Sequence, residues 1–528
     1  MRQRPNLAAL SMQALAVFAC ITVSSCAKQS MTSDSSGTPM PSTIQASAKS
    51  VESGFVPSCG TSANVDASGS DPAAMISGDS RAHVPPNYTT FLPGLQGTTY
   101  NDPQFGCPVT RITNAASDGN SPSRAEHHYY VPSALNQNDD RVIITDENGS
   151  VYVTDLSAHK VVSGGMTGYN ATSAGASVYW GRAPGEAYTL YWKASDGKHN
   201  VLRKADTKSC TPSKRCSSLT VTTVYTSTCP AASFNGGNED DLRVNIQSGH
   251  EFVGWDCNSG GNLTFSVLDV TAATMGATKT VNGRTWFDSY KIVSQPAPST
   301  DMFFCWTNGG TGGYGNGYGN GFWCYSASTM SNQIQVTSNG QHANTVYDPA
   351  VNKSYLVMEQ AGNDSTRNPC TGPVATGWEE MELGNSLNPH VCLLSYPTWY
   401  VQTHVSGGDH GLASLEVVSV AGVTPLLLNP NDTLDSNYTA DWMSLYGEII
   451  LLGTSSKTVY RVADHRSRPN ACGVGSGTQN YWAVPRSSLS IDSKYVVFDS
   501  NMARTGSAQQ PCNSISNYTD VYMVAVRP

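Results

Sequence analysis

From Tyr481 to Asn501 the chain reads YWAVPRSSLSIDSKYVVFDSN. Ser487 to Ile491 alternates weakly, Asp492-Ser493-Lys494 is turn chemistry, and Tyr495-Val496-Val497-Phe498 is a β-branched and aromatic run of the kind that fills a buried sheet. The pattern predicts a hairpin. It recurs upstream as RVIIT from Arg141, YTLYW from Tyr188, EFVGW from Glu251, MFFCW from Met302, YLVME from Tyr355 and IILLG from Ile449, each after a turn cluster. With YVVFD from Tyr495 these make seven runs whose starts lie 47, 63, 51, 53, 94 and 46 positions apart. Second runs follow, among them VYVTDL from Val151, LTFSVLDV from Leu263, VCLLSY from Val391, TVYRVAD from Thr458 and VYMVAV from Val521. A unit of about 50 residues with paired strands and no helical period predicts an all-β fold, a single β-propeller of seven blades of four-stranded antiparallel sheets.

The N-terminal pattern is different. Arg2 and Arg4 precede a largely apolar stretch, Leu7 to Val23, too short and interrupted for a membrane span. Val23-Ser24-Ser25-Cys26 resembles the lipobox of bacterial lipoproteins, which implies lipidation at Cys26, and Ala27 after it favours the outer membrane. An ordinary secretory signal cut near Cys26 is the alternative. Residues 1–26 are thus expected to be a signal peptide and the membrane a partner through the lipid. Residues 27–84, rich in Ser, Thr, Gly, Ala and Pro, lack the apolar surface to fold and are expected to form a tether. The propeller is expected over 85–528.

Composition narrows the class further. Charged residues make up only 13% while glycines number 48, which suits turn-rich β structure and not long solvated helices. A net charge of −9 disfavours nucleic acid as a partner. Of 14 cysteines, Cys20 lies in the signal and Cys26 at the lipobox. The rest fall into near-neighbour pairs, Cys59 with Cys107, Cys210 with Cys216, Cys229 with Cys257, Cys305 with Cys324, Cys370 with Cys392 and Cys472 with Cys512. No CxxC occurs, so an oxidising location explains them better than a metal does.

Candidate chemistry follows from position within the repeat, because propeller sites gather where the innermost strands begin. His128 lies 13 residues before Arg141 and His342 lies 13 before Tyr355. Equal offsets point two imidazoles at one axial region, with His127 beside His128 on the opposite strand face. The third repeat offers Asn238 and Glu239 there; the last offers Trp482, with Arg486 four residues further in. Packing beside Tyr129 and Tyr130 is the competing explanation for the histidines. A second cluster, Gln402-Thr-His404-Val-Ser-Gly-Gly-Asp409-His410-Gly411, suits metal ligation or proton transfer, or simply a hydrogen-bonded turn. Thr307 to Phe322 presents Tyr314 and Tyr318 on a Gly- and Asn-rich loop, as stacking surfaces for sugar rings or as a plain connection. Asn363 to Asn388, with Trp378, Glu379, Glu380 and Glu382, is expected to be a surface excursion. There is no GxSxG, P-loop, HExxH or dinucleotide fingerprint, so hydrolase, nucleotide-binding and zinc-protease readings lose their best support.

The repeats, PRSSLSIDSKYVVFDSN in particular, resemble TolB-like and WD-repeat-like propellers over nearly all of 85–528. Phe105 to Thr113, FGCPVTRIT, resembles the outermost strand that ends each TolB-like repeat. The resemblance implies that this strand belongs to the last blade, beside the strands ending at Val526, and closes the ring. The oligogalacturonate and ulvan lyases are also propellers with axial histidines, and Gln402 with His404 loosely resembles their metal-binding Gln/His cluster at a different spacing. That resemblance implies β-elimination of uronate polymers with a divalent metal as cofactor. His128 or His342 would be the base, Arg486 the carboxylate neutraliser and His410 an acid or metal ligand. The first functional expectation is a tethered module binding an extracellular polysaccharide through His127, Tyr314, Tyr318 and Trp482. The lyase is the second. A glycosidase would need paired carboxylates, for which Glu239 and Asp409 are the candidates.

Overall fold

The computed structural model describes residues 56–65, 76–77, 85–86, 91–115, 125–127, 131–146, 150–164, 178–230, 241–282, 289–307, 322–336, 343–359, 377–384, 388–395, 400–420, 445, 447–467, 484–502 and 518–527. These residues build seven antiparallel sheets arranged as the blades of one propeller. Taken by their innermost strands, blade 1 begins with Ala125–His127, blade 2 with Val178–Trp180, blade 3 with Leu242–Val244 and blade 4 with Ser289–Ser294. Blade 5 begins with Ala343–Asp348, blade 6 with Tyr400–Gly407 and blade 7 with Ser488–Leu489.

The apolar runs are uninterrupted because a blade is covered on both faces. In Arg141–Asp146, Val142 and Ile144 join the core shared by blades 1, 6 and 7, while Ile143 points into the core shared with blade 2. In Met302–Thr307, Met302, Phe304 and Trp306 pack toward blade 3, and Phe303 and Cys305 toward blade 5. Period-two alternation thus persists in where side chains point, although both directions are apolar.

The ring closes as the strand likeness implies. Pro108–Arg111 pairs antiparallel with Asp520–Ala525, Arg111 facing Tyr522 and Val109 facing Val524. Arg111 ion-pairs with Asp520 at 2.7 Å, and Thr113 and the Ala115 amide donate to the same carboxylate. The two ends of the ring are therefore joined by backbone, charge and hydrogen bonds at once.

Three expectations need correction. The tether does not run unbroken to residue 84: Thr61–Val65 adds a strand to the outer edge of blade 6, with Thr61 opposite Arg461 and Asn64 opposite Thr458. That strand lies between Thr458–Asp464 and the short outermost strand Ile76–Ser77, held by backbone pairing on both sides, so its polar composition hid it. Gly60, at φ +87°, turns the chain where a Cβ would meet the Arg461 carbonyl oxygen at 2.6 Å. Second, IILLG is the third strand of blade 6. The second is Leu412–Val420, which accounts for the 94-residue interval. Third, Gly377–Glu382 is the third strand of blade 5, with Trp378 fully buried, rather than part of a surface excursion.

Four of the expected disulfides are present: Cys59–Cys107, Cys210–Cys216, Cys229–Cys257 and Cys305–Cys324. Cys392 is also bonded, while Cys370, Cys472 and Cys512 lie outside the described residues, as do Cys26 and the signal. No helix among the described residues is long and apolar enough to cross a membrane.

Candidate functional site

At the axis, blades 1, 6 and 7 meet through a buried polar network. His127 ends the innermost strand of blade 1 with no exposed surface. Its Nδ1 lies 2.9 Å from Asp499 Oδ1 and its amide donates to the same oxygen at 3.0 Å. Its Nε2 lies 2.6 Å from the Arg486 carbonyl oxygen, which can only accept, so Nε2 carries a hydrogen. Arg486 sits just before the innermost strand of blade 7 at φ +48°, a left-handed backbone uncommon outside glycine. Its guanidinium donates to Glu126 Oε2 at 3.2 Å and to the Val484 carbonyl at 3.3 Å.

Blade 6 supplies the other half. His404 and Glu416 are opposed in register on neighbouring strands, which brings His404 Nδ1 to 2.6 Å from Glu416 Oε1. The amide and hydroxyl of Ser487 both donate to Glu416 Oε2, at 2.9 and 2.8 Å. Burial pushes the Glu416 carboxyl up to about 8, against the Ser487 hydrogen bonds and the charges of His127 and Arg486. With Oε2 occupied by the two Ser487 donors, Oε1 is left to face His404 Nδ1. A carboxyl group raised by burial, two imidazoles and a guanidinium are therefore held together at the meeting of three blades.

The expected site residues divide accordingly. The convergence expected of His128, His342, His410 and Arg486 rests on His128 and His342, which lie outside the described residues; His127, expected beside His128 as a ligand-binding residue, faces Asp499 and the Arg486 carbonyl, and Arg486 faces Glu126. His410 does not join them. It is exposed in the turn after the innermost strand of blade 6, while Ser487 stands level with Glu416, opposite His404. At about 3.3 Å per strand residue the three steps from His404 to Gly407 alone amount to about 10 Å. His128, His342, Tyr314, Tyr318, Trp482, Asn238 and Glu239 lie outside the described residues. Equal sequence offsets also did not mean equal register. The neighbours His127 and Ala343 are the equivalent pair, opposite Ile144 and Met358, each three residues into its run, because the turn in blade 1 is longer.

Asp409 proves to be a structural bridge. Its carboxylate accepts from Arg182 of blade 2 and Arg243 of blade 3, each at 2.8 Å, and both guanidiniums also ion-pair with Asp241 Oδ2. Burial raises the Asp409 carboxyl, but the Arg243, Arg182 and His410 charges outweigh it and hold the group below its usual range. Gly407 lets this turn lie against blade 5, since a Cβ there would collide with the Thr345 carbonyl oxygen.

Glu416 was missed by sequence reasoning. Its only signal was a lone acid inside the apolar strand LASLEVVSV. For the divalent metal that the lyase resemblance implies, no group of three or more His, Cys, Asp or Glu side chains among the described residues is placed to hold an ion, and His404 is committed to Glu416.

No family model and no curated protein matches the chain. Among solved structures it is similar to an oligogalacturonate lyase in complex with manganese, at 13% identity over 81% of this chain and 96% of that one, TM-score 0.46. An oligogalacturonate lyase from Vibrio parahaemolyticus is 12% identical over the same shares, TM-score 0.47. TolB from Acinetobacter baumannii is 9% identical over 65% of this chain and 64% of that one, TM-score 0.31. The likeness is one of fold.

Proposed function

We propose that this protein is an exported, lipid-anchored propeller that binds an extracellular polysaccharide at its axial mouth. One observation carries the reading: the axial charges of blades 1, 6 and 7 are committed to one another, forming a rigid floor instead of a free acid–base set. His127 and Arg486 then act by positioning that floor, which lies next in sequence to His128 and a few residues from Trp482. The ligand would meet the rim residues His128, His342 and Trp482, with Tyr314 and Tyr318 as stacking surfaces. The disulfides support export through an oxidising compartment.

A second reading, β-elimination of a uronate polymer, is favoured by the Glu416–His404 pair, an acid and an imidazole 2.6 Å apart with the acid raised by burial. In that reading Arg486 turns from Glu126 to the substrate carboxylate, His128 or His342 removes the C5 proton, the C4–C5 double bond forms as the C4–O4 bond breaks, and the leaving oxygen takes a proton from water.

The test is incubation of the protein with a panel of uronate-containing and neutral polysaccharides, with and without divalent metal. Binding and ultraviolet absorbance of unsaturated uronate are followed together. Binding without absorbance, weakened by His342→Ala or Trp482→Ala, is the expected result. An absorbance rise abolished by His128→Ala or His342→Ala would replace it with the lyase, and no binding to any polymer would remove both.

A further inference from the structure

Away from the axis, the segment Thr207 to Ser218, TKSCTPSKRCSS, carries three cations and no carboxylate in a chain of net charge −9. It is held rigidly. Thr211 and Lys214 exchange two backbone hydrogen bonds of 3.0 Å around Pro212-Ser213, and Cys210–Cys216 closes the loop. The Cys216 amide then donates to the Val162 carbonyl at 2.9 Å, fastening this blade 2 loop to the outermost strand of blade 1, Lys160–Ser163.

Between the loop and blade 1 lies a cavity of about 320 Å³ lined by Tyr152, Gly164, Arg215, Cys216 and Ser217. That volume is at the lower end for small-ligand sites and suits one sugar ring. Glycine at 164 keeps the tyrosine accessible, because a Cβ there would stand 2.7 and 2.8 Å from two ring carbons of Tyr152. The Tyr152 hydroxyl donates to the buried Asp146 carboxylate, so the phenol is anchored and its ring borders the cavity. Lys208, Lys214 and Arg215 are exposed, and none of them forms an ion pair among the described residues. Asp206, whose carboxylate accepts from the Lys208 amide, is the nearest acid along the chain.

We propose that this seam is a second binding site, for a carboxylated sugar residue of an anionic polysaccharide. Arg215 takes the carboxylate, the Tyr152 ring receives the apolar sugar face and Ser217 bonds a ring hydroxyl, while Lys208 and Lys214 attract the flanking carboxylates of the polymer. A ring face beside a single guanidinium favours a uronate over a free phosphate, which has no face to stack. The site goes beyond the axial reading and stands or falls separately from it.

Hydrogen exchange on the full-length protein tests it, with a uronate tetramer, its fully methyl-esterified counterpart and inorganic phosphate as probes. The tetramer is expected to protect amides of 207–218, the ester not. Arg215→Ala should weaken the affinity read from that protection roughly tenfold, the loss of one charged hydrogen bond, with Arg215→Lys intermediate and both variants melting as the parent does. His342→Ala at the axis should leave this protection intact, so failure of the axial reading is seen apart from failure here. Equal protection in Arg215→Ala, by the ester or by phosphate would each overturn the proposal.

Discussion

Glu416 shows what one buried acid does to the pH response of the fold. Its carboxyl titrates at about 8 when folded against an ordinary 4.5 when unfolded, so the folded chain binds the extra proton across that interval. The associated stability is fully present below about 4.5 and is lost as pH rises through 8. At about 1.4 kcal/mol per pKa unit this amounts to a few kcal/mol. Glu380, at about 7, and Asp139, at about 8, act with the same sign, so Glu416→Gln should reduce the loss of stability between pH 5 and pH 8 without abolishing it. Urea unfolding of parent and variant at the two pH values measures this, and identical losses would mean that Glu416 is not the titrating group. His127 and Arg486 drew attention in the sequence as neighbours of the repeat positions of His128 and Trp482, but their partners Asp499 and Glu126 did not. Glu416 was not legible, because its partner His404 is set by strand register and Ser487 by the packing of another blade.

Among the elements, the closing strand and its staple have the clearest energetic consequence. Cys59–Cys107 spans 48 residues and ties the added edge segment of blade 6 to the strand that completes blade 7. Loop-closure entropy for a span of that length is about 4 kcal/mol. The double variant Cys59→Ser, Cys107→Ser should lower unfolding stability by up to that amount in chemical denaturation. A change near zero would indicate that the sheet pairing of Pro108–Arg111 with Asp520–Ala525 constrains the segment by itself. Phe105 to Thr113 was legible by its likeness to a repeat-ending strand. Thr61–Val65 was not, since a strand added outside the four of a blade is held by backbone pairing and needs few apolar side chains.

Across the whole molecule, Asp409 couples opposite parts of the ring, joining blade 6 to blades 2 and 3. Asp409→Ala would leave Asp241 as the one carboxylate facing Arg182 and Arg243 among the described residues, with the Gly407 and Thr345 carbonyls still accepting from Arg243. A cost of about 3 kcal/mol is expected from breaking such a buried arrangement, read as a lowered denaturation midpoint. The exposed neighbour His410 should tolerate His410→Ala within about 0.5 kcal/mol. Equal effects at the two positions would refute the bridging role.

What the sequence determined by itself was local and periodic: the apolar runs, their turns, the spacing near fifty residues and the near-neighbour cysteine pairs that the structure bonds. A strand covered on both faces must be apolar throughout, and that demand is written in consecutive residues. Tertiary structure alone decided which polar groups meet. His127 and Asp499 stand 372 positions apart and Arg182 and Asp409 stand 227 apart. Their encounters depend on how blades pack around a closed ring, and no short-range pattern of side chains records that geometry.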